Sequence, residues 1–270
     1  MTIQSTAMLP NLAEAADENL VTHATWVQRQ TAGMAVIEES GLVLADSGLA
    51  CDTFNLICHT RLDRDTAPAQ IHRAIHYFAN ANRPFSWWTG PADQPADLGD
   101  LLLAAGLVRA ETELAMAADL AQLAEVDLSP QGLRIERVRT LAQLHDFANL
   151  VAALWTPPDT NVVRFYELAA PLLLSAESPL WFYVGYLDAV PVGTVELTVG
   201  GGVVGLYSVS TVATYRRRGF GSALTVWPLL DARTAGYTTA ILQAAAAGVG
   251  IYKRVGFEVF GEITEYKPPL

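Results

Sequence analysis

The sequence predicts an α/β protein in which a mixed sheet is built twice, as two tandem modules. Three features predict it. Short apolar runs alternate with amphipathic stretches of helical period, the pattern of strands joined by helices. In the second half an apolar run, Val203 to Tyr207, leads through Arg216-x-x-Gly219-x-Gly221 into a segment with Ala223, Trp227 and Leu230 on one face. That is a strand, a glycine turn and a helix. Finally, Leu101-Leu102-Leu103-Ala104-Ala105-Gly106-Leu107 stands where Ile251-Tyr252-Lys253-Arg254-Val255-Gly256-Phe257 stands, Gly256 lying 150 residues after Gly106. The elements around both segments fall in matching order.

The elements follow in chain order. Asn11-Leu12-Ala13-Glu14 reads as a capping box opening a helix with Leu12, Leu20, Ala24 and Val27 at helical spacing. Met34 to Ile37 and Leu42 to Ala45 are strands of a hairpin turning at Glu39-Ser40-Gly41, and Phe54 to Cys58 is a third strand. Pro68 to Asn82 is a helix, capped by Asp65 or Thr66 with Pro68 in its first turn. Phe85 to Thr89 is a strand, Asp97 to Ala105 a short helix with Gly106 as C-cap, and Leu107 to Met116 a strand pair or one long bent strand. A polar linker, 121–132, separates the halves, which gives domains of 1–122 and 132–270.

In the second half, Leu133 to Val138 alternates as a strand. Thr140-x-x-Gln143 opens a helix with Leu141, Leu144, Phe147, Val151 and Leu154 facing inward. Trp155-Thr156-Pro157-Pro158 ends it, and Asp159 or Thr160 caps a second helix to about Leu174. Trp181 to Leu187 and Val192 to Val199 form a hairpin across Asp188-Ala189-Val190-Pro191. Gly200-Gly201-Gly202 turns into the central strand, Val203 to Val209, and Thr238 to Gln243 is the strand after the next helix.

The chain has 270 residues, 51% of them hydrophobic, and a net charge of −11. The negative charge disfavours DNA, RNA and anionic membranes, and permits a cationic or amine ligand without demanding one. Met1 to Pro10 lacks the charged start and apolar core of a signal peptide. The apolar window from Leu168 to Leu187 is broken by Pro171, Glu177 and Pro179, so no membrane span is expected. Cys51 and Cys58 read as buried free thiols. A cytoplasmic protein is expected. His72 and His76, one helical turn apart, have no third ligand in view and are discounted as a metal site. Phe85-Ser86-Trp87-Trp88-Thr89 is expected at the interface between the halves.

The turn from Arg216 to Ser222 is where function is concentrated. Its glycines let the backbone bare its N–H groups, and the helix after it adds unpaired amides and a positive dipole end. This is an anion site suited to phosphate or pyrophosphate. There is no Gly-Lys-Ser/Thr ending, so nucleotide hydrolysis is not indicated.

Arg-x-x-Gly-x-Gly between a strand and a helix resembles the coenzyme A pyrophosphate loop of the GNAT superfamily of N-acyltransferases. The segment from Ala240 to Phe257, a strand followed by a helix carrying Tyr252 and then Gly256-Phe257, resembles that family's next stretch. The resemblance covers the chain from about Gly132 to its end. It implies an acetyl-CoA or other acyl-CoA donor lying between the strands at Val203 and Thr238. The main-chain N–H of Val209 or Thr211 would hold the thioester carbonyl. The amides of Arg217, Arg218, Gly219, Phe220, Gly221 and Ser222 would hold the pyrophosphate, with Arg216 or Arg218 adding charge. Tyr252 matches the family tyrosine that gives a proton to the leaving thiolate. Two positions depart from the family: Ala213 stands where proline is common and Ala245 where serine is common.

Glu196 is the candidate base; its strand position leaves open whether it faces the cleft or solvent. Tyr207 and Ser208 are candidates for the acceptor site. Asp159 either pairs with a cationic acceptor or only caps its helix. Trp155 and Trp181 either wall the pocket or sit in the core, and Gln243 is placed to bond the cofactor arm or the acceptor. The first half lacks this chemistry: its turn reads Thr60-Arg61-Leu62-Asp63-Arg64-Asp65, without glycine, and Leu102 stands where Tyr252 does. It is a degenerate copy that supports the second. The expected activity is acetyl transfer to a small-molecule amine in a ternary complex. The alternatives are a carrier-protein thioester or aminoacyl-tRNA donor, the acidic charge weighing against tRNA, or a non-catalytic coenzyme A-binding protein. The tandem halves would mimic a dimer, so a monomer is expected.

Overall fold

The computed structural model describes residues 11–39 and 41–269; the signal-peptide reading of Met1 to Pro10, and Ser40 of the first hairpin turn, lie outside it. The first half contributes α1 (Leu12–Thr25), β1 (Ala35–Glu39), β2 (Leu42–Asp46), β3 (Leu56–Cys58), α2 (Ala67–Asn80), β4 (Ser86–Thr89), α3 (Leu98–Ala104) and β5 (Val108–Asp119). The second contributes β6 (Arg134–Arg137), α4 (Leu141–Ala152), α5 (Thr160–Leu173), β7 (Leu180–Leu187), β8 (Val190–Gly200), β9 (Val203–Thr211), α6 (Phe220–Thr234), β10 (Thr239–Ala244), α7 (Val249–Val255) and β11 (Glu258–Lys267). From β1 and from β7 onward the halves run through the same order of strands and helices. Gly106 and Gly256 end the equivalent helices α3 and α7 with positive φ of 95° and 110°.

The strands form one mixed sheet in the order β1-β2-β3-β4-β11-β5-β10-β9-β8-β7-β6. Among the described strands β3–β4 and β9–β10 pair in parallel. The last strand of each half is exchanged: β11 pairs with β4 and β5, and β5 pairs with β10 and β11. The span from Leu107 is therefore one long strand, not a pair. The segment at β4 does lie at the seam, although Trp87 is buried in the core of the first half.

Helices cover both faces of the second half. Along β7, Phe182, Val184 and Tyr186 join the core under α4 and α5, while Tyr183 joins the core under α6. Successive side chains on a strand point to opposite faces, so a strand covered on both sides reads as a nearly unbroken apolar run. The capping box at Thr140 and Gln143 is present. At Asn11 only half a box forms: its side chain accepts from the Glu14 N–H at 3.4 Å.

Several sequence expectations are corrected. Leu141 and Leu154 are 61% and 54% exposed, because Leu141 is the first residue of α4 and Leu154 lies beyond its end. Of the expected face of α6 only Ala223 is buried, Trp227 and Leu230 being half-buried, and the buried face includes Phe220, Leu224, Val226 and Leu229. The hairpin turn is only Asp188-Ala189, both with positive φ, so β8 begins before Pro191. Pro191 fits because the register slips there, which spares a ladder bond. The linker is not a free tether: Leu123, Val126 and Leu128 pack on the second core, and the Ala124 N–H bonds the Val255 carbonyl. Cys51 and Cys58 are buried and free.

Candidate active site

The loop after β9 is a single turn at Ala213–Tyr215, then Arg217 at φ 64° and Gly219 at φ 87°. Gly219 is the N-cap of α6 and offers no side chain to the first-turn amides. The turn opens onto a pocket of about 470 Å³ lined by Arg217, Gly219, Gly221, Ser222, Ile251 and Arg254. Arg216 bonds the Thr211 carbonyl through Nε at 3.0 Å, and Arg218 the Thr214 carbonyl at 3.4 Å. Arg217 and Arg254 are thus the two cations lining the pocket. Arg254 escaped sequence reading because it belongs to α7, outside the glycine motif.

Strands β9 and β10 pair from Val204/Ala240 only to Leu206/Leu242. Beyond that they part. On the other side, β9 slips register against β8 between Glu196↔Tyr207 and Thr194↔Ser210, with Ser208 at φ 50°. The Thr194 hydroxyl holds this bulge by donating to the Ser208 carbonyl at 2.7 Å. Bulges re-aim a strand next to a site. Here the bulge carries Val209 and Thr211 away from β10. Tyr252 packs against Phe257 at 6.0 Å. Burial first, and the charge of Glu113 second, push its phenol up to about 12.

At the parting of the strands lies a cavity of about 410 Å³ between the halves. Tyr207, Ser208, Gln243 and Trp155 line it, together with His23 and Trp88 from the first half. Its floor is mainly acidic. Asp52 and Glu265 both pair with Lys267, at 3.0 and 3.1 Å, and Glu111 is exposed at the edge. Asp159 is not among the lining residues. Its carboxylate caps α5 through the Asn161 N–H at 2.8 Å and accepts from the Cys51 thiol at 3.3 Å. Trp181 is also elsewhere, stacked under Arg137 at 4.1 Å.

Glu196 faces neither open cleft nor solvent. It is 2% exposed and accepts from the Thr198 hydroxyl at 3.0 Å. Its other partner is Nδ1 of His23, at 2.8 Å. The His23 ring lies flat on Tyr207, 3.9 Å between centroids and 4° between planes. Burial, then the Glu196 charge, hold the Tyr207 phenol well above its ordinary range. Its hydroxyl donates to Asn19 at 2.9 Å.

In the first half the matching turn carries its own acid, Asp63, which accepts the Asp65 N–H at 2.9 Å. Asp93 accepts the Thr60 and Gly90 N–H groups, both at 2.6 Å. Arg61 pairs with Glu14, Asp17 and Asp93. Among the described residues no group of three His, Cys, Asp or Glu is placed to hold a metal ion, and no helix is long and apolar enough to cross a membrane.

Residues 137–260 match the acetyltransferase (GNAT) domain family. The chain as a whole has a fold similar to that of a tandem GNAT protein. A GCN5-related N-acetyltransferase from Kribbella flavida is similar over 94% of this chain and 96% of its own, with 19% identity and a TM-score of 0.72. A GCN5-related N-acetyltransferase from Sphaerobacter thermophilus covers 96% of this chain and 91% of its own, at 16% identity and TM-score 0.59. A tandem GNAT protein from the clavulanic acid biosynthesis pathway covers 96% and 94%, at 11% identity and TM-score 0.58. No curated protein matches the sequence significantly.

Proposed function

We propose that the chain is an N-acyltransferase that moves an acetyl group from acetyl-CoA to the amine of a small molecule by direct attack in a ternary complex. The observation that carries this reading is the arrangement at β9 and β10. The strands part after Leu206/Leu242, with a pocket under uncapped helix amides and a second cavity between the halves. An acyl-CoA fits that arrangement with its pyrophosphate on the amides of Arg217 to Ser222, beside Arg217 and Arg254, and its thioester at the parting. The amide of Val209 or Thr211 would polarise the carbonyl, and Tyr252 would face the leaving sulfur. The amine enters from the inter-half cavity, whose acidic floor and aromatic walls Trp88, Trp155 and Tyr207 suit a cationic acceptor.

Calorimetry with acetyl-CoA tests the donor. Gly221→Asp places a carboxylate at the second position of α6, where a helix tolerates acid well but a phosphate does not. The parent should bind, and the variant should fold normally and bind on the order of 100-fold more weakly. A parent that gives no heat with acetyl-CoA, yet accepts a carrier-protein or tRNA ester, would replace the donor assigned here.

A further inference from the structure

The cavity between the halves also receives a histidine from the first half. His23 lies in the last turn of α1, which crosses β8 and β9 of the second half. One turn earlier the buried Asn19 side chain fastens the helix by donating to the Thr198 and Gly200 carbonyls, each at 3.0 Å. Stacking on Tyr207 fixes the plane of the His23 ring, and Glu196 fixes its rotation. The Glu196 carboxylate is an acceptor, so it selects the imidazole form with its proton on Nδ1. The lone pair is then on Nε2, which has no hydrogen-bond partner among the described residues. The ring is 21% exposed and lines the inter-half cavity beside Ser208 and Gln243.

We propose that His23 is the general base of the acyl transfer, and that Glu196 is a positioning residue acting through it. The proposal rests on the N-acyltransferase reading above. Glu196 lies behind the ring and is almost wholly enclosed, so a proton leaving the cavity meets Nε2 first. Of the other carboxylates lining the cavity, Asp52 and Glu265 are tied to Lys267, and Glu111 is solvent-exposed. The amine nitrogen forms a bond to the thioester carbonyl carbon, and its surplus proton passes to Nε2. The carbon–sulfur bond then breaks with its electrons on sulfur. The thiolate takes up one proton, and His23 returns one to solvent. One amine and one thioester become one amide and one thiol.

The test uses the full chain with acetyl-CoA and a panel of primary amines, following thiol release. His23→Ala should lower kcat about 10²- to 10⁴-fold. Acetyl-CoA affinity by calorimetry should not change, and added imidazole should restore part of the rate. Nitrogen NMR of the parent should show the proton on Nδ1 of His23, and Glu196→Gln should abolish that preference. His23→Ala keeping more than a third of the parent rate overturns the assignment and leaves the acyltransferase reading intact. So does a lost rate that imidazole cannot restore, or a proton found on Nε2. If the parent binds acetyl-CoA but takes no amine in the panel, the NMR result decides. If it neither binds acetyl-CoA nor turns over a carrier-protein or tRNA ester, the acyltransferase reading fails and the base assignment goes with it.

Discussion

Tyr252 shows how far burial alters a role read from the sequence. A phenol at its ordinary pKa would already be protonated at neutral pH, and here burial pushes it up to about 12. An ordinary thiol is the stronger acid, so full proton transfer from this phenol to a thiolate runs uphill. In the reaction proposed above, Tyr252 would therefore act through a hydrogen bond to sulfur as charge collects there, and not by full proton transfer. Tyr252→Phe should lower kcat about 10²-fold and leave acetyl-CoA affinity unchanged. The sign of the pH dependence follows from the raised value. The donating form persists as pH rises and is lost only as pH approaches ~12, so an alkaline fall in rate near pH 9 would have to come from another group. Steady-state rates of parent and variant between pH 6 and 10 check this: the Phe variant should keep the shape of the parent's profile. A variant rate equal to the parent's would remove Tyr252 from the reaction.

Among the elements, α1 decides whether the site is complete. Three glycines make room for it. A side chain at Gly200 would strike Thr22, one at Gly201 the Ala15 carbonyl, and one at Gly205 the amide of Asn19. Gly205→Ala should lift α1 from β9, at a cost of about 1–3 kcal/mol. Because His23 moves with the helix, acyl transfer should fall sharply while acetyl-CoA still binds at the far end of β9. Urea melts, calorimetry and turnover on one preparation separate these effects, and loss of acetyl-CoA binding would contradict this division of labour. This also marks what the sequence could reveal. The glycine turn was legible because Arg216 to Ser222 form it within one strand, turn and helix. The caps at Thr140 and Asp159 were legible for the same reason. The seat of α1 was not, because Gly200 and Gly201 looked like an ordinary turn and Gly205 like a weak point in a strand. Nor did anything near His23 point to Glu196 and Tyr207, which reach it only through tertiary packing. Leu141 and Leu154 misled in the opposite way: their spacing suited the buried face, but they stand where the helix begins and just beyond its end.

At the scale of the whole molecule, exchange of the last strands makes the halves mutually dependent. Strand β11 has no neighbour from its own half; both of its partners, β4 and β5, belong to the first. Strand β5 likewise sits between β10 and β11. A chain of residues 132–270 alone would keep β6 to β10 but leave β11 unpaired and one edge of β10 bare. Bare, apolar strand edges recruit other chains. We therefore expect the isolated second half to aggregate or to pair with another copy, and the intact 29.1 kDa chain to be a monomer by light scattering. Co-expression of 1–131 with 132–270 should restore a species of the parent's mass, because each piece carries the strands that complete the other. Those pieces should also regain the cavity in which His23 meets Glu196, and with it turnover. A second half that melts cooperatively as a monomer on its own would show that β11 can find its place without the first half. The seam would then serve the acceptor site and not the stability of the fold.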